Sequence, residues 1–201
     1  MNFLSLSGEK GYLLKECNLI IMKFSIILAV DSKNGIWKDN SLAWKLSTDM
    51  KNFKQITTKT TDLAKMNAVI MGRKTWESIP SKYRPLSDRI NCILTRQIKN
   101  DDIWSPIDDF VLYFNSFIHC LSELESKENV ENIFVIGWAN LYNQVLDNPM
   151  LDKIYLTKVK WDYDCDVFFD GIPNNFIVES YTEYEKENNI EYSFWVYKRV
   201  D

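Results

Sequence analysis

The chain has little glycine, and the way its few glycines are spaced excludes the usual nucleotide sites. Six are present: Gly8, Gly11, Gly35, Gly72, Gly137 and Gly171. No GxGxxG and no GxxxxGK[ST] can be written from them, so any nucleotide must be held in another way. A single histidine, His119, leaves no credible zinc set, and its place in a helical pattern reads as half-buried rather than catalytic. The four cysteines, Cys17, Cys92, Cys120 and Cys165, include no CxxC pair. Cys92 and Cys120 sit in apolar patterns and read as buried free thiols. No uninterrupted apolar run reaches the length of a membrane span, and Lys23 breaks the run that begins at Asn18. The net charge of −4 lacks the positive excess of a general nucleic-acid binder. No metal, nucleic-acid or membrane partner is therefore expected, and a cytoplasmic protein is.

What is present is a globular composition, 46% hydrophobic with 14% aromatics, over 201 residues. One domain is the natural size prior. Residues 1–21 read as a variable N-terminal extension and 22–201 as the domain. Apolar, β-branched or aromatic runs recur at 24–30, 68–72, 90–95, 110–113, 133–136, 153–159, 176–180 and 191–198. Helical periodicity lies between them at 48–57, 116–127 and 139–147. Early strands alternate with helices, which favours parallel pairing; the last two are joined without one, which favours an antiparallel hairpin at the edge. The expectation is an α/β fold, with one mixed, mostly parallel sheet of about eight strands flanked by helices.

Three places carry candidate chemistry. Asp49 opens the 48–57 helix among Trp44, Leu46, Met50 and Phe53. A carboxyl in such company is partly desolvated and can hold a nitrogen heterocycle by two hydrogen bonds. An acid in a first helical turn is equally well explained by the helix dipole alone. The second place is Gly72-Arg73-Lys74-Thr75, where a buried strand hands over to a helix, with Arg89 and Arg96 nearby in sequence. It suits a phosphate or carboxylate; the plainer reading is a solvated turn. The third is Ile133–Tyr142, where an apolar strand stops at Gly137 and a helix opens at once, the ligand side of an open α/β sheet.

Together these segments resemble dihydrofolate reductase. From about Phe24 to Lys198 the pieces follow that family's order: SIILAV, GIWKDNSLAWKLSTDMKNF, VIMGRKTWESIP, RPLSDRIN, ILTR, FVIGWANLY, IYLTKV, DCDVFF and SFWVYKR. VIMGRKTWESIP together with the W-x4-D-x3-F spacing of Trp44, Asp49 and Phe53 is the specific part. The resemblance implies reduction of 7,8-dihydrofolate to tetrahydrofolate, with hydride to C6, a proton to N5 and NADPH as cofactor. It implies that Asp49 binds the pteridine, Trp44 positions a water and Thr157 bonds Asp49. Ile27, Met50, Phe53, Ile79 and Ile136 would line the substrate, and Arg89 would clamp its glutamate carboxylate. Ala29, Ile36, Arg73, Lys74, Thr75, Thr95, Arg96, Gly137, Trp138, Ala139, Asn140, Leu141 and Tyr142 would hold the cofactor. It also implies a monomer, or one half of a fusion with thymidylate synthase. A ribityl-pyrimidine reductase of the same fold fits less well, because Asp49, Phe53 and Arg89 are the folate-type set.

Three positions depart from the family pattern. The GxG of the mobile loop reads Gly35-Ile36-Trp37, L-P-W reads Leu42-Ala43-Trp44, and the Gly-Gly pair under the cofactor reads Gly137-Trp138. Trp37 and Trp138 place the largest side chain where the family has the smallest. The alternative expectation is thus a reductase-like protein with impaired cofactor binding that keeps pterin or antifolate binding.

Overall fold

In a computed structural model, residues 22–39, 41–97, 110–137 and 139–200 are described. The expected extension at 1–21, Cys17, and the Trp138 position lie outside those residues. The chain runs β1 Phe24–Val30, β2 Gly35–Lys38, β3 Ser41–Leu42, α1 Ser47–Thr58, β4 Met66–Gly72, α2 Arg73–Ser78, β5 Arg89–Leu94 and β6 Val111–Phe114. It continues with α3 Phe117–Glu125, β7 Val130–Ile136, α4 Ala139–Val145, β8 Leu151–Val159, β9 Val167–Phe168, β10 Phe176–Tyr181, β11 Glu185–Glu187 and β12 Ile190–Arg199.

The main sheet has the order β10-β12-β8-β1-β7-β4-β5-β6, with β11 paired to β12. Pairing is parallel from β8 through β6 and antiparallel at β8–β12 and β12–β10. The eight expected apolar runs are the eight strands along this path, with ends moved by one to three residues. Burial explains why they are legible. Five consecutive residues of β4, Asn67–Met71, are buried, because helices cover both faces of a central parallel strand. At the edge, β10 buries only Phe176.

Four short strands went unforeseen, β11 at the edge of the main sheet and three more. β2, β3 and β9 form a separate sheet of order β3-β2-β9. Runs of two to four residues are too short for a period-2 pattern to declare itself. Asp31 ties this sheet to the core. One carboxylate oxygen accepts the Lys33 and Gly35 N–H groups at 2.8 and 2.7 Å, and the other accepts that of Tyr163 at 3.1 Å. Gly35 is needed there, since a Cβ would stand 2.5 Å from that of Cys165. Cys92, Cys120 and Cys165 are buried and free. Among the described residues, no helix is long and apolar enough to cross a membrane and no acidic, His or Cys group could hold a metal.

Candidate active site

Helix α1 builds the site from one face. Asp49, Phe53 and Thr57 follow at i, i+4 and i+8, so they stack along one side of the helix. Asp49 looks across to β8, where the Thr157 hydroxyl donates to Oδ1 at 2.6 Å. Register places Thr157 opposite Ala29 of β1. Burial pushes the Asp49 carboxyl up, the Thr157 bond pulls it down, and the nearby charge of Glu187 pushes it up again. Trp44 is buried and packs on Tyr163 at 5.3 Å, in a cluster with Leu46, Val159 and Cys165 that half-buried Ala29 also touches. Asp49 and Trp44 open onto a cavity of about 350 Å³ that Met50 also lines; Met50 is otherwise exposed.

At the other end of that helix face stands Arg89. It is buried, its Nη1 donates to Thr57 Oγ1 at 2.7 Å, and its Nε donates to the Ser87 carbonyl at 2.9 Å. Its guanidinium lies 5.6 Å from the centre of the Phe53 ring. Among the described residues no carboxylate pairs with it in an ion pair, and burial lowers its pKa. Ile27 and Ile136, neighbours in the β1–β7 register, are buried in one apolar cluster, and Phe53 and Ile79 pack on it half-buried. The structure therefore gathers Asp49, Phe53, Ile79, Arg89, Ile27 and Ile136 around α1 and the sheet beneath.

The cofactor candidates collect at the carboxyl edge of the parallel strands. β4 and β5 pair Gly72 with Leu94, so Arg73, Lys74 and Thr75 stand beside Thr95 and Arg96. Arg73, Lys74, Arg96 and Asn140 are exposed; Arg73 pairs with Glu77 at 2.6 Å. Thr95 is buried and accepts the Gln97 N–H at 3.2 Å. Gly137 has φ +70, and a Cβ there would collide with the Thr75 side chain. Thr75 is buried, and its Oγ1 has no partner among the described residues. Tyr142 is buried and accepts the Gly137 N–H while donating to the Ile27 carbonyl at 2.9 Å. Its hydroxyl thus joins the end of β7 to the middle of β1, and burial raises its pKa.

Three of the positions named from the sequence lie in or against the main core. Ile36 and Leu141 are buried in the main core, so only their backbones are available to a ligand. Trp37 is half-buried against that same core and sits opposite Leu42 and Val167 in the small sheet. The structure of Trp138 and the side chain of Ala139 lie outside the described residues.

The dihydrofolate reductase family pattern matches residues 23–199. The chain belongs to the dihydrofolate reductase family. A dihydrofolate reductase of Heliothis virescens is 36% identical over 184 residues, which cover 89% of this chain and 98% of that protein. One of Drosophila melanogaster is 34% identical over 156 residues, 78% of this chain and 84% of that protein. A bifunctional dihydrofolate reductase-thymidylate synthase of Glycine max is 38% identical over 178 residues, 88% of this chain but 34% of that protein. The chain thus spans about a third of the bifunctional plant relatives and nearly all of the insect one. A dihydrofolate reductase fold accounts for the mixed sheet and for the order of its strands.

Sequence reasoning missed Glu187, Asp31 and Thr57 as parts of this arrangement. Glu187 lies in the polar run Glu185–Asn189, which reads as a solvated turn, and its contacts are 139 and 140 residues away. No local pattern carries such a signal.

Proposed function

We propose that this chain reduces 7,8-dihydrofolate to tetrahydrofolate with NADPH. The observation that carries the reading is the face of α1. A half-buried acid stands at one end, a buried guanidinium at the other, and an aromatic ring lies between. Eight residues at 1.5 Å each separate Asp49 from Thr57, which is about 12 Å. A ligand with a hydrogen-bonding heterocycle at one end, a flat middle and a carboxylate at the other matches that spacing, and dihydrofolate has this form. Arg89 engages two of its five N–H groups among the described residues, leaving donors for a carboxylate.

The residues of the sheet edge fit NADPH. The partnerless Thr75 hydroxyl, the tight backbone at Gly137 and the cations Arg73, Lys74 and Arg96 are what a phosphorylated ligand needs. Thr95 and the chain from Gly137 to Tyr142, including Ala139 and Asn140, complete the cradle, with Ala29 at its inner end. The cofactor supplies a hydride to C6 of the pterin. Asp49 holds the pteridine by paired hydrogen bonds and favours protonation at N5; solvent delivers that proton. Trp44 seals the pocket beside Asp49 and leaves room for a water. Ile27, Ile136, Phe53, Ile79 and Met50 exclude bulk solvent from the rings, and the enzyme's work is orientation and electrostatics. The three buried free thiols among the described residues agree with a reducing, cytoplasmic setting, and the reaction itself would place the chain in one-carbon metabolism.

The test is dihydrofolate-dependent oxidation of NADPH by the wild-type chain and by Asp49→Asn. Wild type turns over, and the variant folds but loses roughly 10²- to 10⁴-fold in hydride transfer near neutral pH. Equal rates would remove Asp49 from the reaction.

A further inference from the structure

Helix α1 begins without a cap of its own. Leu46 occupies the cap position, and no side chain there bonds the first N–H groups of the helix. Such groups need partners, and here they come from the far end of the chain. The Glu187 carboxylate accepts the Ser47 N–H at 2.8 Å, the Thr48 N–H at 2.9 Å and the Ser47 hydroxyl at 2.6 Å. Glu187 ends β11 and pairs with Ile190 of β12; Asn188 and Asn189 close the turn with φ of +49 and +65. The first turn of α1 also carries Asp49, and Asp49 and Glu187 line the same 350 Å³ cavity.

We propose that Glu187 is a positioning residue for Asp49: it supplies the missing cap of α1, fixes where the Asp49 carboxyl stands and keeps a second negative charge facing it. The inference rests on the reading of Asp49 as the acid of dihydrofolate reduction. A helix N-terminus carries about half a positive charge and stabilises an ionised acid in its first turn. Glu187 engages those N–H groups, so Asp49 is left beside a like charge instead. Both effects hold the proton on Asp49 to higher pH. Bonds from Ser47 and Thr48 pull the Glu187 carboxyl down to about 2, so it stays charged wherever Asp49 titrates. The other groups around Asp49 are Thr157 on β8, Tyr142 on α4, Lys45 in the cavity lining and Tyr192 on β12, which reaches Thr48.

The experiment follows the Asp49 carboxyl by carbon NMR in the ligand-free protein, its resonance identified by loss in Asp49→Asn. Glu187→Gln lowers the Asp49 midpoint by about half a pH unit. Glu185→Gln removes the same charge from the same strand; Glu185 reaches α1 only through the Tyr192 hydroxyl, which donates to it at 3.1 Å, and the midpoint moves less than in Glu187→Gln. Ser47→Pro removes two of the three bonds to Glu187. Proline suits a first helical position, and Leu46 already has the φ of −124 and ψ of 113 that precede it well. This variant lowers the midpoint in part and adds nothing to Glu187→Gln. The pH profile of dihydrofolate reduction moves the same way. An unmoved midpoint in either folded variant, or an equal shift from Glu185→Gln, overturns the proposal. A shifted midpoint with an unmoved pH profile supports the cap and overturns the role given to Asp49.

Discussion

The Thr157 hydroxyl donates to Asp49 at 2.6 Å, joining residues 108 apart in the chain. The bond favours the ionised carboxyl, while burial favours the protonated one, and burial is the larger. Thr157→Val removes the favourable contact and leaves the burial. The Asp49 midpoint then rises further, and the acid limb of dihydrofolate reduction rises with it. Carbon NMR of the carboxyl and the pH profile of turnover read this shift. A midpoint that falls would show that the hydroxyl does not serve the charged form.

Asp49 also sets a pH dependence of stability. Its folded pKa lies above the unfolded value of about 3.9. Between the two the folded state binds more protons, so stability falls as pH rises through that window. Asp49→Asn removes the loss. The variant melts higher than wild type above that window, and the two converge below the unfolded pKa. Calorimetry at both ends of the range checks the sign. The residue proposed to serve the reaction is thus predicted to cost the fold stability.

Gly137 is predicted to resist substitution. With φ +70 and no room beside Thr75, Gly137→Ala is strained twice. The expected loss is about 1–3 kcal/mol in urea unfolding, with weaker NADPH binding by fluorescence. Thr75→Ala in the same chain recovers part of the stability, and a double-mutant cycle gives a coupling of about 0.5 kcal/mol or more. Strict additivity would mean that the two residues do not meet.

Arg89→Met separates the two ends of the substrate site. The KM for dihydrofolate rises roughly 10- to 100-fold, the worth of a charge-assisted hydrogen-bonded pair, while kcat changes little. A dihydropterin without the glutamate tail is reduced alike by variant and wild type. A matching loss with the short substrate would place Arg89 elsewhere in the mechanism.

How far the sequence carries depends on the range of each contact. The strands of the main sheet were legible because burial on both faces writes itself as continuous apolar runs, as in Ala68–Met71. Asp49 and Phe53 were legible because helix spacing is local. The bond from Arg89 to Thr57 spans 32 residues and the Asp31 hold on Tyr163 spans 132, and neither leaves a periodic trace. Trp37 shows the limit from the other side. Its residue type promised a bulky side chain beside a cofactor, and only the fold shows that it packs half-buried against the core.

The order of apolar runs, the helix face of Asp49 and Phe53 and the cation-rich turn after Gly72 follow from the sequence alone. Each depends on neighbours within a turn or a strand, so composition and spacing specify them. Which groups meet across the fold was decided by tertiary structure: Thr157 and Glu187 at Asp49, Thr57 at Arg89, Thr75 at Gly137. The first two set how far the Asp49 carboxyl shifts, because desolvation and Coulomb interaction depend on distance in space and not along the chain.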